Sequence, residues 1–381
     1  MTSSRTPGDK LLFTPGPLTT SATVKQVMAC DLGSRDGEFL AAIRDVRCGL
    51  LQLAGVSQES GYETVLLQGS GTYAIEAVIS SAVPTTGKLL VAVNGAYGER
   101  MAKIAEVHGI TVEVLRFPEA TPVEPDAVEA CLRDDPAVTH VAIVHCETTS
   151  GVMNPIAEVG EIVAACGCSY IVDSMSAFGA VPMDVRECRA DFLVSSANKC
   201  IEGVPGFAFV ICRREALESC RGQARSLTLD LEAQWRGLEA NGQFRFTPPT
   251  HALLAFRQAL IELEEEGGVE GRAKRYGQNH ARLREGMARL GFQEFVPAEH
   301  QGTIITSFLY PQDVGFNFES FYEGLNRRGF VIYPGKVTDA DCFRIGNIGR
   351  LFSSDMEALL TAIAETMEEM GLEAKSAAAS E

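Results

Sequence analysis

The sequence has little that would hold a nucleic acid, a membrane or a metal. Its 33 Lys and Arg stand against 50 Asp and Glu, a formal net charge of −17 at pH 7. A phosphate backbone or an anionic lipid surface needs a basic face, so this balance argues against both partners. No uninterrupted apolar run approaches the roughly 20 residues of a membrane-spanning helix. The opening "MTSSRTPGDK" is polar, so no secretory signal is visible. There are eleven cysteines, an odd number scattered through apolar segments. Cys166 and Cys168 form a C-x-C with no matching second pair, so no zinc site is expected. Reduced, mostly buried thiols in a cytoplasmic protein are the simplest reading. No internal repeat is apparent.

What is present is the material of a large soluble enzyme. The 381 residues suit one large or two medium domains, with 46% hydrophobic and 22% charged residues. Short runs of strand character recur at 64–70, 88–94, 111–117, 140–146, 169–175, 191–196 and 207–213. Most are apolar throughout, as in strands buried on both faces of a helix-covered parallel sheet. Helical patterns such as "GERMAKIAEVHG" and "IAEVGEIVAACG" separate many of them. The last two runs lie too close for a helix between them and predict an antiparallel pair in a mixed sheet. Beyond about residue 250 come two long helices broken at Gly-Gly, then short strands, and a final helix over 353–370. We therefore expect an α/β fold with a mixed, mostly parallel sheet covered by helices and a smaller C-terminal α+β domain. The expected boundaries are an N-terminal segment 1–15, a large domain 16–260, a small domain 261–370 and a disordered tail 371–381.

Three motifs carry chemistry. "LLQGSGTYAIEAV" (66–78) is a strand, a turn of small residues and a helix start, where backbone N–H groups and the helix dipole favour phosphate. Gly69, Gly71 and Ala74 also match a dinucleotide fingerprint, but the acid expected about 20 residues on is missing. The next strand ends in Asn94, with no acid before Glu99. "YIVDSMSAFG" (170–179) ends an apolar strand in Asp173, where open α/β sheets bind ligands, although an Asp there also caps turns. In "DFLVSSANKCIEGVPGFAFVICRR" (191–214), Lys199 sits in a turn between two apolar strands. Desolvation there lowers a lysine's pKa and makes its amine nucleophilic. An anion cradle, an acid and a buried amine, all expected at one sheet edge, are what pyridoxal 5'-phosphate asks for. Tyr97 could stack on a planar ring. Thr148 and Thr149 could cap a helix or bond a cofactor oxygen. Arg344 lies in the strand-like "FRIGNIG" and needs an anionic partner.

The stretches "LLFTPGPLTT", "GSGTYAIEAV", "CETTSG", "DSMSAFG", "SSANKCIEGVPGFAF", "RFTPPTHALLAF" and "FRIGNIG" resemble the 2-aminoethylphosphonate:pyruvate aminotransferase family. That family lies within class V, fold-type I, of the pyridoxal-phosphate enzymes, alongside the alanine:glyoxylate aminotransferases. The resemblance runs from about Leu11 to Phe352. It implies a cytoplasmic homodimer with shared active sites that moves an amine from 2-aminoethylphosphonate to pyruvate, a step of phosphonate catabolism. Lys199 would bind the cofactor covalently and shuttle the proton, and Asp173 would pair with the ring nitrogen. Ser70, Gly71 and Thr72 would hold the phosphate, Tyr97 would stack on the ring, and Thr149 or Thr148 would bond near the ring hydroxyl. Asn198 joins the cofactor-binding set. Thr247 would reach the other subunit's cofactor phosphate. Arg344 would bind the substrate anion, with the Gly16 turn lining the same pocket. Phe244 stands where alanine:glyoxylate enzymes carry a phosphate-binding Tyr, and the 32–39 stretch departs from the family form near the expected substrate entrance. An alanine or serine:glyoxylate aminotransferase of the same fold is the alternative, and a non-catalytic nucleotide- or phosphate-binding protein the remoter one.

Overall fold

The computed structural model describes residues 8–313 and 315–372. Most of the expected 371–381 tail and the first seven residues fall outside the described residues. Among the described residues twelve strands run in chain order: β1 (Leu11–Leu12), β2 (Tyr62–Gly69), β3 (Lys88–Val93), β4 (Thr111–Arg116), β5 (Val138–Val144) and β6 (Ser169–Asp173), then β7 (Phe192–Ser196), β8 (Gly206–Arg213), β9 (Ile305–Leu309), β10 (Phe330–Val331), β11 (Tyr333–Pro334) and β12 (Cys342–Gly346). The helices are α1 (Ala22–Val27), α2 (Gly37–Leu53), α3 (Gly71–Ala82), α4 (Ala96–Val107), α5 (Pro125–Asp134) and α6 (Ile156–Ala165), then α7 (Arg214–Ser219), α8 (Leu231–Asn241), α9 (Thr250–Glu265), α10 (Gly268–Arg289), α11 (Phe318–Arg327) and α12 (Ser353–Glu369).

Seven strands form one sheet in the order β2-β8-β7-β6-β5-β3-β4. Its strands are apolar on both faces because helices cover both. Leu66, Val91, Val141, Ile143, Ile171, Val172, Leu193 and Val194 are fully buried, each stabilising the fold by roughly 1.5–3 kcal/mol. β8 runs antiparallel to both β2 and β7, and all other neighbours are parallel. Reversal at β8 restores the direction at β2. The carboxyl ends of β2, β3, β5, β6 and β7 therefore share one edge, and the turns that follow them carry Ser70, Tyr97, Thr149, Asp173 and Lys199. Ligand sites in open α/β sheets lie at such an edge.

The C-terminal region has its own core. β11, β12 and β9 form an antiparallel sheet, with Arg344 opposite Tyr333 and Ser307. Phe308, Phe321, Phe343, Met287, Met356 and Leu359 fill the space between this sheet and α10, α11 and α12. The N-terminal segment packs here too. β1 pairs in parallel with β10, Leu11 against Phe330, and Phe13 is fully buried in this second core. Past Phe13 the chain turns back to the large sheet and delivers Gly16 to its edge. Among the described residues no helix is long and apolar enough to cross a membrane.

Candidate active site

Lys199 follows the end of β7 and is only 9% exposed. Its Nζ donates a hydrogen bond of 2.5 Å to the Pro15 carbonyl. Burial pulls its pKa down to about 8, against the smaller opposing pull of neighbours including Asp173. Asp173 ends the adjacent strand β6 and is also buried. Burial raises its carboxyl to about 6, opposed by the Met175 N–H that donates to Oδ1 at 3.0 Å and by the charges of Lys199 and Arg100. Each group thus sits within about a unit of neutrality, and each biases the other's proton. Gly16 closes over the lysine. Its φ of +119° favours glycine, and a Cβ there would stand 2.8 Å from the Asn198 carbonyl and 3.0 Å from Lys199 Cδ. Half-buried Asn198 reaches this contact through its backbone.

The turn after β2 opens α3. Ser70 is its N-cap, yet its hydroxyl caps no backbone N–H; the Tyr73 N–H donates to the Ser70 carbonyl at 3.0 Å, while the Gly71 and Thr72 N–H groups find no acceptor among the described residues and are left for another. Gly71 is buried, and a Cβ on it would lie 2.1 Å from Met175 Sδ, so a side chain there would collide with the residue next but one to Asp173. Thr72 Oγ1 accepts a 3.0 Å hydrogen bond from Arg100. Anion binding at a helix start follows from the free N–H groups and the partial positive charge of the helix end.

Tyr97 lies in the first turn of α4, whose N-cap is Gly95 and has no side chain to offer. Glu147, from the turn after β5, serves that end instead. Its carboxyl accepts from the Thr149 N–H (3.0 Å) and hydroxyl (2.5 Å) and from the Tyr97 N–H, while Thr149 Oγ1 accepts from the Ala96 N–H at 3.0 Å. Thr149 is therefore engaged as a cap, one of the two roles its residue type suggested. Thr148 Oγ1 bonds Ser176 at 2.6 Å, and its carbonyl accepts from Arg344 Nη1 at 2.9 Å. Burial pushes the Glu147 carboxyl up, and its Oε2 is buried without a hydrogen-bond partner.

Arg344, on β12, is 4% exposed and forms no ion pair among the described residues. Its Nε donates to the Pro334 carbonyl at 3.1 Å. Burial lowers its pKa despite the neighbouring Tyr97. A buried guanidinium anchored on two carbonyls and lacking a carboxylate is a receptor for an anion. Thr247 is exposed; among the described residues its carbonyl accepts from Gln68 Nε2 at 3.1 Å and its hydroxyl has no partner. Phe244 is buried in the large core.

Three features of the site escaped the sequence. Glu147 and Arg100 sat inside quoted motifs, but nothing local marked an acid as a distant helix cap or an arginine as facing α3. The third is a strut behind the lysine turn. The Glu202 N–H donates to the Lys199 carbonyl at 2.8 Å. The Glu202 carboxylate in turn takes Arg275 and the Tyr276 hydroxyl, each at 2.6 Å. Fully buried Arg272 donates to the Cys200 carbonyl and, at 2.8 Å, to Glu266. Helix α10 thereby clamps the 199–202 turn, and Arg275 ties it to the Gly349 carbonyl at 2.6 Å. The Cys200 thiol, pushed up to about 12 by burial, is a packed and unreactive group.

The model of the family described as aminotransferase class-V matches residues 25–335. A 2-aminoethylphosphonate--pyruvate transaminase of Syntrophobacter fumaroxidans is 52% identical over 362 residues, covering 95% of this chain and 97% of that protein. The enzyme of the same name from Salmonella schwarzengrund is 51% identical over 359 residues, with 94% and 97% covered. Among solved structures, a pyridoxamine-pyruvate aminotransferase from Mesorhizobium loti superposes with TM-score 0.88 at 23% identity, covering 97% of this chain and 96% of the other. A ureidoglycine-glyoxylate aminotransferase from Bacillus subtilis gives the same TM-score and identity, covering 98% and 97%. These likenesses carry the fold, which is the fold-type I aminotransferase architecture expected from the sequence.

Proposed function

The chain belongs to the class-V aminotransferase family, and from that premise we propose that it transfers the amino group of 2-aminoethylphosphonate to pyruvate with pyridoxal 5'-phosphate. Phosphonoacetaldehyde and L-alanine are the products. The relatives at about half identity carry this activity in their names. The observation that carries the reading to this chain is Arg344, buried without an ion-pair partner among the described residues and near enough to Tyr97 and Lys199 to shift their ionisation.

The residues fit the cofactor. The α3 start leaves the Ser70 hydroxyl and the Gly71 and Thr72 N–H groups uncommitted among the described residues, and Met175 packs this closely against residue 71 only because it is glycine. These would hold the phosphate, with Thr72 beside them. Asp173 would face the ring nitrogen. Its raised pKa of about 6 reflects burial, so it is mostly carboxylate near pH 7, and a cationic nitrogen beside it would hold it fully so. Tyr97 would cover the ring, and Thr149 and Asn198 would border it. When bound, pyridoxal phosphate supplies an aldehyde that takes up the amine and a ring that delocalises the electron pair left behind by the departing proton.

The chain does the rest. Arg344 presents a fork already fixed by the Pro334 and Thr148 carbonyls, so a phosphonate or a carboxylate docks without further ordering of the side chain. Lys199 Nζ, with a pKa of about 8, holds enough neutral amine near pH 7 to take the proton from the carbon bearing nitrogen and enough ammonium to return one. The Pro15 carbonyl steadies Nζ, and Gly16 leaves the lysine stem room to swing. Pyruvate takes the same path in reverse, with its carboxylate on Arg344. The exposed Thr247 side chain suits a phosphate across a subunit boundary, so the working unit is a homodimer with shared sites. Its place is the cytoplasm, where the unpaired thiols stay reduced.

The test is a single-turnover absorbance titration of the purified holoenzyme with no keto acid present. Both 2-aminoethylphosphonate and L-alanine are expected to bleach the visible band. A response to alanine alone would move the substrate to the alanine:glyoxylate type. A colourless protein that pyridoxal phosphate cannot reconstitute would overturn the cofactor reading.

A further inference from the structure

Three cations meet around Tyr97. The Arg100 guanidinium lies 4.8 Å and Lys336 Nζ 5.3 Å from the ring centroid. Arg344 is the third, close enough to Tyr97 for each to bias the other's ionisation. None of the three forms an ion pair among the described residues. Elsewhere in this acidic chain many arginines are paired, among them Arg47 with Glu63 and Glu239 and Arg275 with Glu202 and Glu266. Like charges left together in partial burial destabilise one another. The pKa of Lys336 is lowered by burial and further by Arg100 and Arg344, against the smaller opposing pull of Glu147. An anion bound among them would remove that cost.

The three are not equivalent. Arg100 is committed to Thr72 at the start of α3 and so faces the phosphate cradle. Arg344 and Lys336 remain for the substrate. Lys336 projects from the hairpin between β11 and β12, and that hairpin is tied down. The Thr338 N–H and hydroxyl donate to Glu119 Oε2 at 2.6 and 3.2 Å, and the Asp339 N–H does so at 3.4 Å. Glu119 follows β4 in the large sheet, so the tie spans the two cores and holds Lys336 over Tyr97.

We propose that Lys336 is a specificity-determining residue that recognises the second negative charge of the phosphonate. This rests on the substrate reading above. A phosphonate has a second ionisation, which the Arg100, Arg344 and Lys336 charges around it would favour, so it is held there as a dianion, whereas a carboxylate carries one charge. The Arg344 fork matches either anion. Lys336, a point charge at the pocket mouth, gains a full partner only when the dianion is bound. Partial exposure screens it, so the effect is about tenfold rather than a thousandfold.

The test uses the holoenzyme as wild type, Lys336→Met and Lys336→Arg. Calorimetric titration with ethylphosphonate and with propionate compares the two anions on one carbon skeleton without an amine to react. Lys336→Met is expected to weaken ethylphosphonate about tenfold and propionate less than twofold, and Lys336→Arg to restore most of the loss. In the half-reactions, Lys336→Met should raise half-saturation by 2-aminoethylphosphonate about tenfold at an unchanged limiting rate and leave L-alanine unaltered. An equal loss for both anions, or no loss, overturns the inference while the wild-type response to 2-aminoethylphosphonate keeps the substrate reading intact. A wild type that responds only to L-alanine overturns both.

Discussion

Lys199 offers a quantitative check on the site, because its environment fixes how its amine titrates. An ordinary lysine titrates at 10.5, and burial moves this one to about 8. At about 1.4 kcal/mol per unit, the buried ammonium costs roughly 3 kcal/mol. The sign follows from proton counts. Between pH 8 and 10.5 the unfolded chain binds the extra proton, so stability rises with pH across that window, and the penalty is fully present below pH 8. For chemistry the same shift means that roughly one tenth of Lys199 is neutral at pH 7 and nine tenths at pH 9. The second-order rate at which cofactor-free protein recombines with pyridoxal phosphate, followed by stopped-flow absorbance, should therefore rise about tenfold from pH 7 to 9 and level off. N-acetyl-lysine amide, run as the reference, should rise about a hundredfold without levelling. Asp173→Asn removes a negative charge that favours the ammonium, so the midpoint should fall below 8. A hundredfold rise in the wild type, or a midpoint that climbs in Asp173→Asn, would refute the claim that burial and Asp173 set the amine.

The remaining predictions test single contacts. Gly16→Ala adds a Cβ against Asn198 and Lys199 at a φ that disfavours it, so kcat should fall at least tenfold with a destabilisation of about 1–3 kcal/mol, read by paired assays and melts. Arg344→Lys keeps the charge and loses the fork, so half-saturation by both amine substrates should rise roughly 10- to 100-fold while the visible cofactor band stays unaltered. Arg272→Met strips the buried Glu202 and Glu266 of a partner and the Cys200 carbonyl of its donor. Urea unfolding should report a loss of about 3–5 kcal/mol. Cys200→Ala should leave turnover within about twofold, since a thiol held at about 12 takes no part near pH 7.

How much of this was legible in the sequence depended on how local each signal was. The β3, β5, β6 and β7 strands stood out because their residues are apolar on both faces, a pattern that survives without any partner in view. Their order in the sheet did not, since strand order is set by which helix covers which face. The antiparallel β7–β8 pair was legible because a short connection leaves no room for a crossover helix. Lys199 and Asp173 were visible as polar residues at the ends of apolar runs, one on each of two neighbouring parallel strands. The N-terminal segment was harder. Nothing in "LLFTPG" says that Leu11 pairs with Phe330, more than 300 residues away, so its membership of the second core had to wait for the structure.

The site's polar support was the least legible, for the same reason. A buried carboxyl such as Glu147 is tolerated only because helix α4 begins at Gly95 with no side chain to cap it, and the two segments are about fifty residues apart. The Glu202–Arg272–Arg275 strut likewise joins residues about seventy apart. Nothing in the local sequence singles out Lys336. Its significance comes from Glu119, which holds that turn across the two cores, and from Arg100 and Arg344, which approach Tyr97 from two other elements. In a chain with a net charge of −17, the location of unpaired positive charge says more about the ligand than its total amount does. Only the folded chain fixes that location.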